Sequence, residues 1–221
     1  MPSVLTFTEV GSHRLNEDVL VVKQHEAEPK VWLCFMADGQ GGQPGGGPAA
    51  QLACEVALKA ALDCSPQELQ DQRRWAGFLR LADKDVEADV ETGCTTFVGL
   101  CVFNGQIFGV SSGDSAALLV SRDQEVELTS GQRKNPPVGS GFAIAVTFTA
   151  SINGPWQLLV MTDGVWKYVG WDRIVAISRR SRGAKLLAEL QEAARLPGNG
   201  RFQDDFTVVL FEEDDQNAIA T

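Results

Sequence analysis

Apolar residues fall in short blocks along the chain, and the spacing within each block predicts an element. Val4–Phe7, Val19–Val22 and Val31–Ala37 read as strands, with the Gly11–Asp18 segment between the first two. The third is apolar at nearly every position, the pattern of a strand buried on both faces. A glycine-rich loop, Gly39 to Pro48, precedes Ala49–Leu62, which lacks Gly and Pro and predicts a helix with Pro48 in its first turn. Ser65-Pro66 opens a further helix, with Ser65 as cap, Pro66 in the first turn and Glu68 complementing the dipole. Trp75, Phe78, Leu79, Ala82 and Val86 recur at three- and four-residue steps and form its apolar stripe.

Cys94–Phe103, Gln106–Val110, Ala116–Ser121 and Glu125–Leu128 then predict short strands, with Asn104-Gly105 as a hairpin turn. Phe142–Ala150 and Trp156–Met161 predict another strand pair, joined around Asn153-Gly154. Trp171–Arg180 and Gly183–Arg195 predict helices, and Phe206–Phe211 a last strand before an acidic tail, Glu212–Asp215 onward, expected to fray. Helices in blocks between runs of antiparallel strands argue for α+β layering rather than an alternating parallel sheet. Without a repeat or a linker, the expectation is a single domain over residues 1–221.

Composition narrows the function. The 221 residues, 44% apolar, suffice for one core without disulfide staples. Nineteen basic against 29 acidic residues give a net charge of −10, which excludes nucleic-acid phosphates and anionic membranes as main partners. The five cysteines form no CxxC pair; four sit among apolar residues, and Cys34 reads as a core thiol. Residues 1–7 show no signal-peptide pattern, and the charge-free stretches 92–113 and 135–162 are broken by glycines, prolines and Asn-Gly turns rather than built to span a bilayer. A reduced, cytoplasmic, bacterial-style monomer is expected. The five tryptophans read as core, and Arg179-Arg180-Ser181-Arg182 as a solvated helix end. The histidines are His13 and His25, too few for a usual zinc site, so a bound metal would need oxygen ligands and be Mg²⁺ or Mn²⁺.

Two motifs tempt and fail. Gly109-Val110-Ser111-Ser112-Gly113 fits a nucleophile elbow, but it runs into another strand and no histidine follows it. The loop from Gly39 to Gly45 puts Pro44 where a dinucleotide fingerprint needs glycine, and no P-loop occurs. What stands is a set of acidic residues at strand ends: Glu17-Asp18, Asp38-Gly39, Asp114, Asp163-Gly164 and Asp204-Asp205. Carboxylates converging on one mouth repel each other unless cations neutralise them, which gives an all-oxygen two-metal site a physical motive.

Arg14 with Asn16-Glu17-Asp18, then Ala37-Asp38-Gly39-Gln40-Gly41-Gly42, Gly93-Cys94-Thr95-Thr96, Gly113-Asp114-Ser115, Thr162-Asp163-Gly164-Val165-Trp166 and Asp204-Asp205-Phe206-Thr207 resemble, in order, the motifs of the metal-dependent PP2C-type (PPM) serine/threonine phosphatases, bacterial-like. The resemblance runs from about Phe7 to Phe211. It implies an αββα sandwich of two antiparallel β-sheets flanked by helices. It implies two Mn²⁺ or Mg²⁺ ions bridged by Asp38, with Glu17 and the Gly39 carbonyl on one and Asp163 and Asp204 on the other. Asp18 would hold waters around the ions, and Asp114 would share a weakly held third ion with Asp163. The implied reaction is hydrolysis of phosphoserine or phosphothreonine by an activated water, on the phosphorylated protein substrate of a serine/threonine kinase.

The departures are specific. The phosphate-binding arginine of the family falls at His13, with Arg14 one residue later, so either Arg14 takes the role through a bulge or phosphate binding is weak. Gln40 stands where some relatives carry a general-acid histidine, Asp205 where many have Asn, and Ala116 where many have Arg. Ser130–Ala150, where relatives carry a substrate-contacting flap, is short and rich in Pro and Gly. Alternatives are a catalytically weak phosphoprotein-binding or regulatory module, and a two-metal hydrolase of small phosphate esters.

Overall fold

The apolar blocks pair into two five-stranded antiparallel sheets in the computed structural model, which describes residues 1–42 and 44–213. With five α-helices among the described residues this makes the chain α+β, as the blocks predict. The backbone clusters into two compact units with interleaved sequence.

One unit comprises Glu17–Ser115 and Leu128–Ser151. Its strands are β2 (Asp18–His25), β3 (Glu28–Asp38), β4 (Phe97–Phe103), β5 (Gln106–Ser112) and β8 (Val146–Ser151), hydrogen-bonded in that order. Helices α1 (Gly46–Leu62) and α2 (Gln72–Ala88) cover one face. Alternate residues Leu33, Phe35 and Ala37 of β3, with Phe97 and Cys101 of β4, join Ala50, Ala53, Ala57, Trp75 and Leu79 in one apolar cluster. The intervening Cys34, Met36, Val98 and Leu100 are also buried, so β3 and β4 are dry on both faces. Burial pushes the Cys34 thiol well above its ordinary range, as expected of an inert core cysteine.

The other unit comprises Met1–Asn16, Ala116–Glu127 and the chain from Ile152. Its sheet runs β1 (Ser3–Glu9), β10 (Phe206–Glu213), β9 (Trp156–Met161), β6 (Ala116–Ser121) and β7 (Glu125–Glu127). Helices α3 (Asp163–Val169), α4 (Trp171–Arg180) and α5 (Gly183–Ala194) bury Val165, Ile174, Ile177, Leu186 and Leu190 against Leu159, Met161, Val208 and Leu210. Among the described residues no helix is long and apolar enough to cross a membrane.

Several boundaries differ from the sequence reading. The helix expected from Ala49 starts at Gly46, after Gly45 turns the chain at φ 92°. The helix expected from Ser65 is interrupted. Ser65 and Glu68 do form a capping box, with Glu68 N–H donating to Ser65 Oγ at 3.3 Å, but it closes only a 3₁₀ turn, Glu68–Gln70. Asp71 then starts α2 by accepting from Arg73 N–H at 2.9 Å. Phe142–Ala145 is irregular, and β8 and β9 do not pair around Asn153-Gly154. β8 lies beside β5 and β9 between β10 and β6, because each finds a longer apolar partner elsewhere than across a local turn. Helix α3 was not expected. Glu212 and Glu213 belong to β10 rather than to a frayed end; the rest of the expected tail, from residue 214, lies outside the described residues. Trp75 and Trp156 are core, whereas Trp32, Trp166 and Trp171 are only partly buried. The Asn104-Gly105 hairpin is as predicted, with φ of 50° and 69°.

A buried carboxylate missed in the sequence fastens the Pro/Gly-rich segment. Asp83 of α2 accepts from Gly139 N–H at 2.7 Å, Gly141 N–H at 3.1 Å and Ala143 N–H at 3.0 Å. Asp83→Ala would leave three partly buried donors without this acceptor, and should cost ~3 kcal/mol or more. In urea unfolding the midpoint should fall without a change of slope, and Asp83→Asn, which keeps one acceptor oxygen, should lose less; a midpoint unchanged in both would contradict this role.

Candidate functional site

Glu17, Asp18, Asp38 and Gly39 gather at one end of the β2–β3 ladder. Asp18 and Asp38 are register partners, and Gly39 N–H donates to Glu17 O at 3.1 Å. Like charges directly opposite on a ladder destabilise it, so this end requires positive charge or N–H donors. One donor is the start of α1: Gly47 N–H points to Glu17 Oε1 at 3.3 Å, where the helix dipole favours a carboxylate. The approach is close because the residues are glycines. A Cβ on Gly39 would stand 2.4 Å from the Gly46 carbonyl, and one on Gly46 would stand 3.0 Å from Glu17 Oε1.

Two threonines, not singled out individually in the sequence, fix the Asp38 backbone. Its carbonyl accepts from Thr96 N–H at 2.9 Å and Thr95 Oγ1 at 2.8 Å, while its N–H donates to Thr96 Oγ1 at 2.9 Å. Thr96 Oγ1 also meets Ser115 Oγ at 2.7 Å, tying the Asp38 strand end to the β5–β6 junction that carries Asp114. Asp114 Oδ2 accepts from Lys134 Nζ at 2.6 Å. Gln40 is exposed, with its N–H donated to Cys94 O at 2.8 Å.

In the other unit Asp163 opens α3 directly after β9, where the helix start favours its charge. Its Oδ2 is ion-paired with Lys167, one turn on. Asp204 lies against the same helix start: a Cβ on Gly164 would be 3.3 Å from the Asp204 Cβ and 1.9 Å from the Asp205 carbonyl oxygen. Burial, then the negative charge of Asp204 and Asp163, pushes the Tyr168 phenol above its ordinary range, with Lys167 opposing.

The segment before Asn16 is pinned residue by residue to the lead-in of β10. Gly11 N–H donates to Asp205 Oδ1 at 2.8 Å, Ser12 Oγ to Gln203 O at 2.6 Å, and His13 Nδ1 stands 3.6 Å from Asp204 Oδ1. Arg14 follows this clamp and is exposed. Within their own units, then, Glu17, Asp18, Asp38 and Gly39 form one group to which Asp114 is linked, and Asp163, Asp204 and His13 form another. Asp205 is a structural acceptor for Gly11. Lys134 and Lys167 were missed in the sequence; the i,i+4 spacing of Asp163 and Lys167 would have signalled the second had α3 been foreseen.

The donors fit a hard divalent cation: they are carboxylate and carbonyl oxygens, without thiolate or a second imidazole. Among the described residues no three His, Cys, Asp or Glu side chains already form a metal-ligating group. Lysine and histidine side chains of the chain itself stand on Asp114, Asp163 and Asp204.

Residues 10–193 match the family model for protein phosphatase 2C. No curated protein sequence matches the chain. Among solved structures, the chain is similar to a serine/threonine phosphatase of S. agalactiae at 16% identity and a TM-score of 0.78, over 96% of this chain and 99% of that one. It is similar to the serine/threonine phosphatase Stp1 of Staphylococcus aureus at 20% identity and a TM-score of 0.74, over 97% and 96%. A third is RsbX in complex with magnesium, at 14% identity and a TM-score of 0.73, over 95% and 94%. These likenesses show the fold.

The packing of Gly164 gives a test with a definite sign. On helix propensity alone Gly164→Ala would stabilise by ~1 kcal/mol. The Asp205 carbonyl in the way predicts destabilisation of ~3 kcal/mol instead. Thermal unfolding decides between them, and a raised midpoint would show the Asp204–Asp205 turn to be elsewhere.

Proposed function

The chain belongs to the protein phosphatase 2C family, and on that premise we propose that it hydrolyses phosphoserine and phosphothreonine in proteins with bound Mg²⁺ or Mn²⁺. The observation that carries this reading is the family match over residues 10–193, together with oxygen donors at strand ends, Glu17, Asp18 and Asp38 in one unit and Asp163 and Asp204 in the other. Glu17, Asp38 and the Gly39 carbonyl, with Asp163 and Asp204, would hold two ions; Asp18 would orient water, and Asp114 is the further carboxylate of the set. Magnesium in the complex of the structurally similar RsbX supports the choice of metal. When bound, such ions lower the pKa of a water and neutralise charge on the phosphoryl oxygens.

The remaining steps belong to side chains. Thr95 and Thr96 hold the Asp38 backbone from both sides, which fixes where its carboxylate is presented. The clamp on residues 11–13 directs His13 to Asp204 and leaves Arg14 exposed, so Arg14 supplies the guanidinium for the substrate phosphate. Gln40 can hydrogen-bond the leaving seryl oxygen but not protonate it. The net charge of −10 favours a phosphoprotein over a nucleic-acid substrate. The chain would act as one phosphatase domain in the cytoplasm, reversing a serine/threonine kinase.

Phosphate release from p-nitrophenyl phosphate and from phosphopeptides should require added Mn²⁺ or Mg²⁺ and stop with EDTA. Full activity after exhaustive chelation, or activity with Zn²⁺ alone, would overturn the reading. Asp38→Asn and Asp163→Asn should each lower kcat by ~10³-fold or more with the fold intact by circular dichroism; a variant within tenfold of the parent would misplace the site. Release from p-nitrophenyl phosphate without release from phosphopeptides would favour a small-ester hydrolase, and release from neither a binding module.

Arg14→Ala should raise KM with little effect on kcat, by an amount equivalent to ~1.5–3 kcal/mol, the scale of hydrogen bonds to charged groups. His13→Ala should change KM less, because its imidazole faces Asp204. The opposite order would assign phosphate binding to His13.

A further inference from the structure

Four large apolar side chains are exposed among the described residues of the unit Glu17–Ser115 and Leu128–Ser151, and all four belong to α2, its exit or the chain strapped to it. Leu81 is on the helix, Val90 lies two residues past its end, and Phe142 and Ile144 stand on the segment that Asp83 fastens. Phe142 is 76% exposed and Ile144 38%, while the alternate residues Ala143 and Ala145 pack on the core. A phenyl ring left in water forgoes the burial that folding normally gives it. The backbone around it is held in that position. Gly141 N–H and Ala143 N–H, on either side of the ring's residue, both donate to Asp83, and Phe142 N–H donates to Ser140 Oγ at 3.2 Å. Farther on, Thr147 Oγ1 donates to Gln72 Oε1 at 3.4 Å, so the segment runs back along α2 toward its start.

The charges beside this ring are set against the helix that carries them. Residues 83–91 hold five acids and one base. Arg73 and Arg74 stand in the first turn of α2 and no base stands in its last, the reverse of what its dipole favours. Asp83 and Glu87, four residues apart, add like-charge repulsion on one face. The three N–H donors account for Asp83, but not for Glu87. The Glu87 carboxylate lies against Gly141, where a Cβ would stand 2.5 Å from Glu87 Cδ, so it borders the Phe142 backbone. No ion pair among the described residues takes up Asp85, Glu87 or Glu91.

A backbone-held apolar ring bordered by unpaired acids is complementary to an apolar side chain with cations beside it. It is ordered before a partner arrives, which lowers the cost of binding. Nucleic acid and anionic lipid carry the wrong charge. A second copy meeting this face about a two-fold axis would set the acids against each other. We propose that residues 139–144 and the C-terminal half of α2 form a docking surface for a protein segment in which an apolar residue is flanked by lysines or arginines. Phe142 is the apolar contact and Glu87 the charge nearest to it. None of the strand-end acids takes part, and the inference does not rest on the phosphatase reading.

The test is selection on the full chain from a phage-displayed library of random dodecapeptides, followed by fluorescence anisotropy of the enriched peptide labelled with fluorescein. Enriched sequences should place lysine or arginine beside a large aliphatic or aromatic residue. Phe142→Ser should weaken binding about tenfold or more, as loss of a central apolar contact does. Glu87→Gln with Glu91→Gln should weaken it several-fold and flatten its dependence on NaCl. Glu26→Gln with Glu55→Gln, both exposed in the same unit, removes equal charge elsewhere and should bind as the wild type does. Phe142→Ser should also unfold at the wild-type temperature; a lowered midpoint would reveal a packed ring and overturn the inference. No enrichment, enriched sequences without basic residues, or binding unchanged in Phe142→Ser would overturn it too. So would a concentration-dependent mass in sedimentation that Phe142→Ser abolishes, which would assign the face to a second copy. Binding is read without turnover, so each of these outcomes leaves the phosphatase reading standing.

Discussion

Negative charge gathered at strand ends is the constraint to which much of the surrounding structure answers. A carboxylate partly withdrawn from water there needs part of its solvation supplied by the protein. Each instance is met by a local device. Glu17 receives Gly47 N–H from the first turn of α1, Asp205 receives Gly11 N–H, and Asp114 and Asp163 receive lysine ammoniums. These devices explain choices that packing alone would not make. Glycine at 39 and 46 lets a helix start approach a strand end, and a threonine pair at 95 and 96 holds the Asp38 backbone from both sides.

The same constraint decides what could be read from the sequence. Strand and helix cores repeat locally, so Val31–Ala37, Ala116–Ser121 and the Trp75–Val86 stripe were legible from periodicity, and the acids were legible because each follows or precedes such a block. Their partners were not. Lys134 is 20 residues from Asp114 and reaches it only because the intervening chain folds back onto Gly113 and Ser115. Lys167 is close in sequence, but α3 is too short for an apolar period to announce it. Asn153-Gly154 misled for a related reason. A turn signal reports the bend and not the partner, and β8 and β9 each hydrogen-bond along a full strand elsewhere.

The displaced arginine follows from the same bookkeeping of polar groups. Residues 11, 12 and 13 are committed in turn to Asp205, Gln203 and Asp204, through a backbone N–H, a hydroxyl and an imidazole. Position 13 therefore faces an acid, and the first side chain released by the clamp is at 14, where the arginine stands. The acid at 205 belongs to this device. Asn could accept the same N–H through its amide oxygen, so Asp in place of Asn preserves the hydrogen bond while adding one negative charge beside Asp204. In such a setting a cationic side chain at 13 would be held by the acids, and the proposed role of Arg14 rests on its place one residue beyond them. The residues at 13 and 205, separate when read along the chain, thus meet in one arrangement around the Asp204–Asp205 turn.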